Sequence, residues 1–450
     1  MQQIDFSQGS IRRRILAVAT PMLIAQLLNL LYNIVDRIYI GKIPGEGTLA
    51  LASIGLCFPF VTLITAFANL FGLGGAPLCA MARGKGNREG AQGIMVNAGF
   101  MLLLSGAVLT VLGIAFHRPL LYLFGASEVT YPYASSYIVI YLIGTLCVML
   151  SLGLNPYINC QGFARTGMLT VALGAAANIV LDPIFIFALH LGVRGAAIAT
   201  VLSQFLSAAW VVKFLTSKKA ELKLDFRGFR PDCQCIQRIT VLGIASFVMS
   251  FTDTLVQVAC NATLRNFGGD LYISVMTVLN SVRQIAQTPV LAIADGASTA
   301  ISYNYGAGLY KRTRDAIRFM TQIAIGYTML VWMLVSLFPA LFIRIFNQDA
   351  ELVAAAVPAL HIYFFGFVMM AFQYAGQSTF RALGRAKYAV FFSLLRKAFI
   401  VVPLTLLLPY CWNLGVSGVF AAEPVSNCIG GLACYFTMRH VVMPELKMEN

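Results

Sequence analysis

Charge is what this 450-residue sequence lacks: Asp, Glu, Lys and Arg together make up 11% of it, against about 25% in an ordinary soluble protein. So few charges cannot clothe a soluble surface of this size. With 59% hydrophobic residues and a mean hydropathy of +0.78, the composition excludes a soluble globular enzyme and reads as an integral membrane protein. Histidine is scarce too: the four (His117, His190, His361, His440) lie too far apart in sequence to suggest a metal cluster. The ten cysteines stand singly apart from Cys233 and Cys235, which have no second Cys or His pair at zinc spacing. Reduced thiols and no structural metal are expected. No nucleophile–base constellation of the kind an intramembrane enzyme needs can be picked out. The polar stretch Met1 to Ser10 and three arginines lead into a full-length apolar run rather than a short h-region, so no cleavable signal is expected.

What the sequence does have is apolar runs of roughly 20 residues, the length that crosses about 30 Å of hydrocarbon. Twelve are counted, over 15–39, 51–76, 93–116, 132–154, 167–189, 194–215, 238–263, 272–300, 316–341, 354–378, 388–408 and 414–437. The net charge of +14 invites a nucleic-acid reading, but the positions of the charges argue against it. With the N-terminus in the cytoplasm, only Arg37, Lys42, Arg118, Arg194, Arg265 and Arg344 fall in outer loops, and most other basic residues fall inside. This is the positive-inside bias, and it places both termini in the cytoplasm. Basic charge here encodes topology, and no nucleic-acid partner is expected.

The second half repeats the first. Gly84-Lys85-Gly86 is answered by Gly306-Ala307-Gly308, and Ala164-Arg165 with Pro183 by Gly384-Arg385 with Pro403. Leu191-Gly192-Val193-Arg194-Gly195 is answered by Leu414-Gly415-Val416-Ser417-Gly418, and Arg14-Ile15 by Arg238-Ile239. Six spans per half at the same sidedness imply parallel repeats related by an axis along the membrane normal, with a binding cavity between the lobes and alternating access by rocking. An N-terminal lobe over 1–216, a cytoplasmic linker over 217–237 with some surface helix, and a C-terminal lobe over 238–450 are expected.

The polar residues inside the runs carry the chemistry. A carboxylate at the centre of a membrane helix costs about 2.5–3.5 kcal/mol on insertion scales, and it persists where it faces protein or water on an ion or proton path. Asp182 is such a residue, within Asn178-Ile179-Val180-Leu181-Asp182-Pro183. Pro183 removes a backbone donor one residue later and loosens the helix. Asn178 and Asp182 are four apart and share a helix face, as do Thr200 and Gln204 in the next run. The first run carries Gln26, Asn29, Asn33 and Asp36 at spacings of 3, 4 and 3, one polar stripe that must face protein or water. An interfacial Asp36 paired with Arg37 or Lys42 is the bland alternative. Tyr133, Tyr137 and Tyr141 make a stripe that suits either an aromatic belt or a cavity wall. Gly72-Leu73-Gly74-Gly75 and Gly84-Lys85-Gly86 lack a phosphate-loop context and fit close helix approach.

The second half does not reproduce this chemistry. Val402, Ala398 and Cys260 stand at the repeat positions of Asp182, Asn178 and Asp36, while Glu423 stands at that of Thr200. Its acids are Asp253, Asp295 and Glu423, and Arg283 is placed to pair with Asp253 or another buried acid. Asp253, Gln284 and Gln287 suit a cavity wall or structural ion pairing.

The whole chain resembles a multidrug and toxic compound extrusion (MATE) transporter of the bacterial, MepA-like type. The residues that carry the likeness are Asn178-Ile179-Val180-Leu181-Asp182-Pro183, Pro21 followed by Asp36, and Ile301-Ser302-Tyr303-Asn304-Tyr305-Gly306-Ala307. The resemblance implies an all-α, V-shaped fold of twelve transmembrane helices in two six-helix lobes. It further implies a monomeric antiporter of the bacterial plasma membrane that exports small organic cations and contributes to antibiotic resistance. No cofactor is implied beyond a proton or sodium ion as the coupling ion, held at Asp36, Asn178, Asp182 and Thr200. Gln26, Asn33, Tyr137, Asp253, Gln284 and Gln287 would line the substrate cavity. One branch of the family carries a further acid on its tenth helix, and the matching region, Phe365 to Gln377, has none. A flippase for a lipid-linked substrate shares this architecture and is the rival reading.

Overall fold

The computed structural model describes residues 3–346 and 348–448, which form helices joined by short connections, with no strand among them. The helices in order are α1 (Ile11–Gly41), α2 (Gly47–Gly84), α3 (Arg88–Leu123), α4 (Tyr131–Ile143), α5 (Thr145–Cys160), α6 (Ala164–Pro183) and α7 (Gly192–Thr216). After a non-helical connection come α8 (Cys233–Gly306), α9 (Tyr310–Leu337), α10 (Pro339–Arg344), α11 (Ala350–Phe364), α12 (Met369–Ala382), α13 (Ala386–Leu394), α14 (Val402–Leu407) and α15 (Val416–Met448). Among the described residues, eight helices are individually long and apolar enough to cross a membrane, and the pairs α4–α5 and α11–α12 qualify as two more. The two remaining long stretches are the part of α8 beyond Gly269, which holds Arg283 and Asp295, and α15, which holds Glu423.

Most sequence runs become single helices, and the exceptions have local causes. The fourth run bends by 56° between α4 and α5 at Gly144, and the tenth by 50° between α11 and α12. The long α8 breaks at Gly269, where φ is +65°, a conformation that glycine adopts without a side-chain clash. Pro183 cannot donate to the carbonyl four residues back, and the chain widens there into a π-helical turn over Ile184–Ala188. A second π-helical stretch, Leu395–Val401, lies between α13 and α14, just before Pro403.

The chain forms two compact units: 3–5 with 20–243, and 6–19 with 244–448. The first turns of α1 belong with the second unit, and the first turns of α8 with the first. These handover points, after Ala19 and after Gly243, are repeat equivalents. In the first unit α2 lies along α3 and α5, and α6 along α7. Small residues permit this: a methyl group on Gly72 would stand 2.7 Å from the carbonyl oxygen of Gly153 on α5. In the second unit α15 packs along α12 and along the π-helical stretch.

The connection 217–232 contains no helix, contrary to the surface helix expected there. It is pinned to the first unit. Arg83 pairs with Glu221 and donates to the carbonyl of Cys160. Leu222 N–H donates to Gln161 Oε1 (2.9 Å) and Asp232 N–H to Asn97 Oδ1 (3.0 Å). Ala220 and Leu222 are buried. The charges along this connection thus do local work, holding irregular backbone onto the helix ends.

Candidate functional site

In the first unit, α1, α6 and α7 bring four of the sequence-derived residues together. Asp182 is fully buried and Asn178, one turn earlier on α6, is 2% exposed. Asn178 Nδ2 donates to Asp182 Oδ1 (3.2 Å) and reaches Thr200 Oγ1 on α7 (3.5 Å). The Asp36 carboxyl of α1 comes within hydrogen-bonding reach of Asp182. No ion pair within 4 Å joins Asp36 to Arg37 or Lys42 among the described residues. The α6–α7 contact is held close by Gly174, opposite Ser207, whose hydroxyl donates to the Thr170 carbonyl (3.0 Å). That contact sets the height at which Asn178 meets Thr200.

The donor inventory of this cluster is incomplete. Asp36 Oδ1, Asn178 Oδ1 and Asp182 Oδ2 are buried and have no hydrogen-bond partner. Unpaired buried polar atoms are costly, and oxygens of this kind suit a proton or a cation. Two carboxyl groups in contact repel unless a proton or a cation lies between them, and bare carboxylate and amide oxygens suit a hard cation. Tyr32 lies within electrostatic range of both acids, and Tyr137 within range of Asp36. Tyr137 stacks on Tyr141, with ring centroids 6.2 Å apart.

Other expected residues lie apart. Gln204 accepts from Ser151 (2.8 Å) and Tyr133 pairs with Glu46, so neither joins the cluster. Gln26 is half-buried on α1, while Asn33 is exposed and donates to the Asn29 carbonyl (2.6 Å). On α8, Gln284 is exposed and Gln287 half-buried.

The second unit gathers a different set. Arg283 pairs with Glu423 Oε1 (2.5 Å), as does Arg396 (2.9 Å), and Lys397 lies 3.9 Å from the same oxygen. Lys397 Nζ also pairs with Asp253 (2.6 Å). Arg283 donates to Tyr363 Oη, which donates to Asn280 Oδ1, both at 2.8 Å. Asp295 faces Arg381 at 3.7 Å. The sequence reading anticipated Arg283 with a buried acid and overlooked Arg396 and Lys397. A signal was available, because these adjacent basic residues fall inside the apolar run 388–408, where the loop-by-loop charge assignment has no place for them.

Comparisons with known proteins agree with this architecture. The chain is 24% identical over 436 residues to the multidrug export protein MepA of Staphylococcus haemolyticus, covering 97% of this chain and 95% of that one. It is 25% identical over 444 residues to an FAD transporter of Shewanella oneidensis, covering 96% of each. The fold superposes on the crystal structure of a MATE transporter in the bent conformation with a TM-score of 0.93 at 23% identity, covering 100% of this chain and 99% of the other. The family model described as MatE matches twice, over residues 21–184 and 245–407. One model fitting each half is the internal repeat seen in the sequence, and together the two matches span most of the chain, which therefore belongs to the MatE family.

Proposed function

We propose that this chain is a secondary active multidrug efflux transporter of the bacterial plasma membrane. In this reading it exports small organic compounds, organic cations among them, in exchange for protons or sodium ions by alternating access. The observation that carries the coupling role is the set of three unpartnered buried oxygens on Asp36, Asn178 and Asp182, drawn from two helices and bordered by Thr200 on a third. The relatives named as a multidrug export protein and as an FAD transporter both move organic molecules, which supports a small-molecule substrate. Gln26, Asn33, Tyr137, Asp253, Gln284 and Gln287 remain the proposed substrate-facing residues, in a monomer with both termini cytoplasmic.

The coupling follows from charge. When a proton or sodium ion binds between Asp36 and Asp182, their repulsion disappears and α1 can draw against α6. When the ion leaves, the two carboxylates push apart. An ion drives transport only if it binds the two conformations with different affinity, and this site supplies such a difference if closure of α1 depends on occupancy. Pro21 lies two residues beyond the point where α1 passes from one unit to the other, where an unpaired carbonyl allows bending.

The test is efflux of a fluorescent organic cation from proteoliposomes under a pH gradient or a sodium gradient, imposed separately. Wild type is expected to export under at least one gradient, and Asp182→Asn under neither. Thr200→Val separates the ions, because loss of its oxygen weakens a sodium site and leaves a proton site nearly intact. Folded Asp182→Asn exporting at the wild-type rate would refute the coupling assignment. A folded wild type that exports under neither gradient would refute the antiport reading.

A further inference from the structure

We propose that the charge cluster of the second unit is an anion subsite, which receives a carboxylate or phosphate group carried by an organic substrate. The proposal rests on the efflux reading above and extends it to substrates bearing negative charge.

The first ground is an imbalance of charge. Arg283, Arg396 and Lys397 have side chains 13%, 5% and 6% exposed, and Glu423, the carboxylate they share, is 5% exposed. Both arginines pair with a single atom, Glu423 Oε1, and Lys397 lies 3.9 Å from it while pairing with Asp253 at 2.6 Å. The other partners of the two arginines, Tyr363 and Asn427, are neutral acceptors that satisfy N–H groups without removing charge. The remaining acid, Asp253, is 49% exposed and reaches only Lys397. Even counting Asp253, one positive charge is left over among the described residues. Uncompensated charge inside a membrane protein is strongly unfavourable, and the guanidinium group is the side chain that grips carboxylate and phosphate in two-pronged fashion.

The second ground is position. Asp253 lies on the first helix of the second repeat, Lys397 on the fifth and Glu423 on the sixth, as Asp36, Asp182 and Thr200 lie on the first, fifth and sixth helices of the first repeat. Glu423 is the repeat equivalent of Thr200. The fold thus builds a polar site at the same junction in each unit, with carboxyl groups dominant in one and cations dominant in the other.

The third ground is backbone. Arg396 and Lys397 stand in the π-helical turn Leu395–Val401, where both are buried and the Arg396 carbonyl accepts from Ser426 (2.9 Å). Such turns are frequent at functional sites. Asp253, on the exposed edge, then acts as a displaceable counter-ion, occupying Lys397 until a substrate anion takes its place.

The experiment is equilibrium binding to the purified full-length protein, read by fluorescence, with probe pairs that differ only in the anion. One pair is a rhodamine with a free carboxylate and its methyl ester, and the other is riboflavin phosphate and riboflavin. The anionic member of at least one pair is expected to bind about tenfold tighter, the factor that a charge-assisted hydrogen bond supports. Lys397→Gln should bring that ratio close to one, and Asp253→Asn should raise it. A preference in the first pair only identifies a carboxylate, in the second only a phosphate, and either upholds the subsite. No preference in either pair overturns it, as does a preference unchanged in folded Lys397→Gln. If Lys397→Gln fails to fold, Asp253→Asn decides, and a ratio that does not rise overturns the proposal. No gradient is applied, so loss of ion-driven export would leave this result standing.

Discussion

Replacing Glu423 by glutamine is the most severe single test of how the second unit is held together. The substitution keeps shape and removes the one buried carboxylate that faces Arg283 at 2.5 Å, Arg396 at 2.9 Å and Lys397 at 3.9 Å. Breaking a buried ion pair by removing one partner costs about 3–5 kcal/mol, because the remaining charge stays buried and unpaired. Here several cations lose the same counter-charge at once, so the upper part of that range applies. For a unit of some 200 residues this corresponds to a fall in melting temperature of roughly 8–20 °C. The assay is thermal unfolding in detergent with a thiol-reactive fluorogenic dye, since Cys260 and Cys434 are buried in this unit and react only when it opens. Adding Lys397→Gln to the same chain removes one repelling cation and should recover part of the loss, which simple loss of packing would not permit. A drop smaller than about 2 °C, or a double variant weaker than the sum of the two singles, would refute the view that Glu423 neutralises this cluster.

Two further outcomes follow from the first unit. Gly72→Val forces a side chain against the Gly153 carbonyl, 2.7 Å from the added Cβ, and should lower stability by about 1–3 kcal/mol in the same assay, whereas Gly55→Ala, whose Cβ meets no neighbouring element within 4 Å, should not lower it. Arg83→Ala removes the pairing with Glu221 and the bond to the Cys160 carbonyl, so trypsin should cut at Lys218 and Lys219 at least about tenfold faster; unchanged cleavage would mean that the connection is held by other contacts.

Much of this protein was legible in its residues. Scarcity of charge and recurrent apolar runs dictate membrane helices, because hydrocarbon admits only backbone that bonds to itself. Repeated glycine, arginine and proline positions dictate two equivalent halves, and the family model matches both. Asp36, Asn178, Asp182 and Thr200 were each legible as polar positions inside apolar runs, and it was the family resemblance that joined them into one group. What residue order could not decide is which polar group faces which. Gln204 shares the helical face of Thr200 and yet pairs with Ser151, and Tyr133 continues the stripe of Tyr137 and yet pairs with Glu46. Spacing along a helix sets a face, but the bend at Gly144 and the rotation of neighbouring helices set what that face meets. Arg396 and Lys397 were hidden for a related reason: two adjacent basic residues inside an apolar run do not tell which acids they meet, and packing sets them against Glu423 and Asp253. Composition and period fixed the membrane class and the repeat, while the partners of each buried charge were settled by tertiary packing, because a charge in a low-dielectric interior is governed by the few atoms within reach of it.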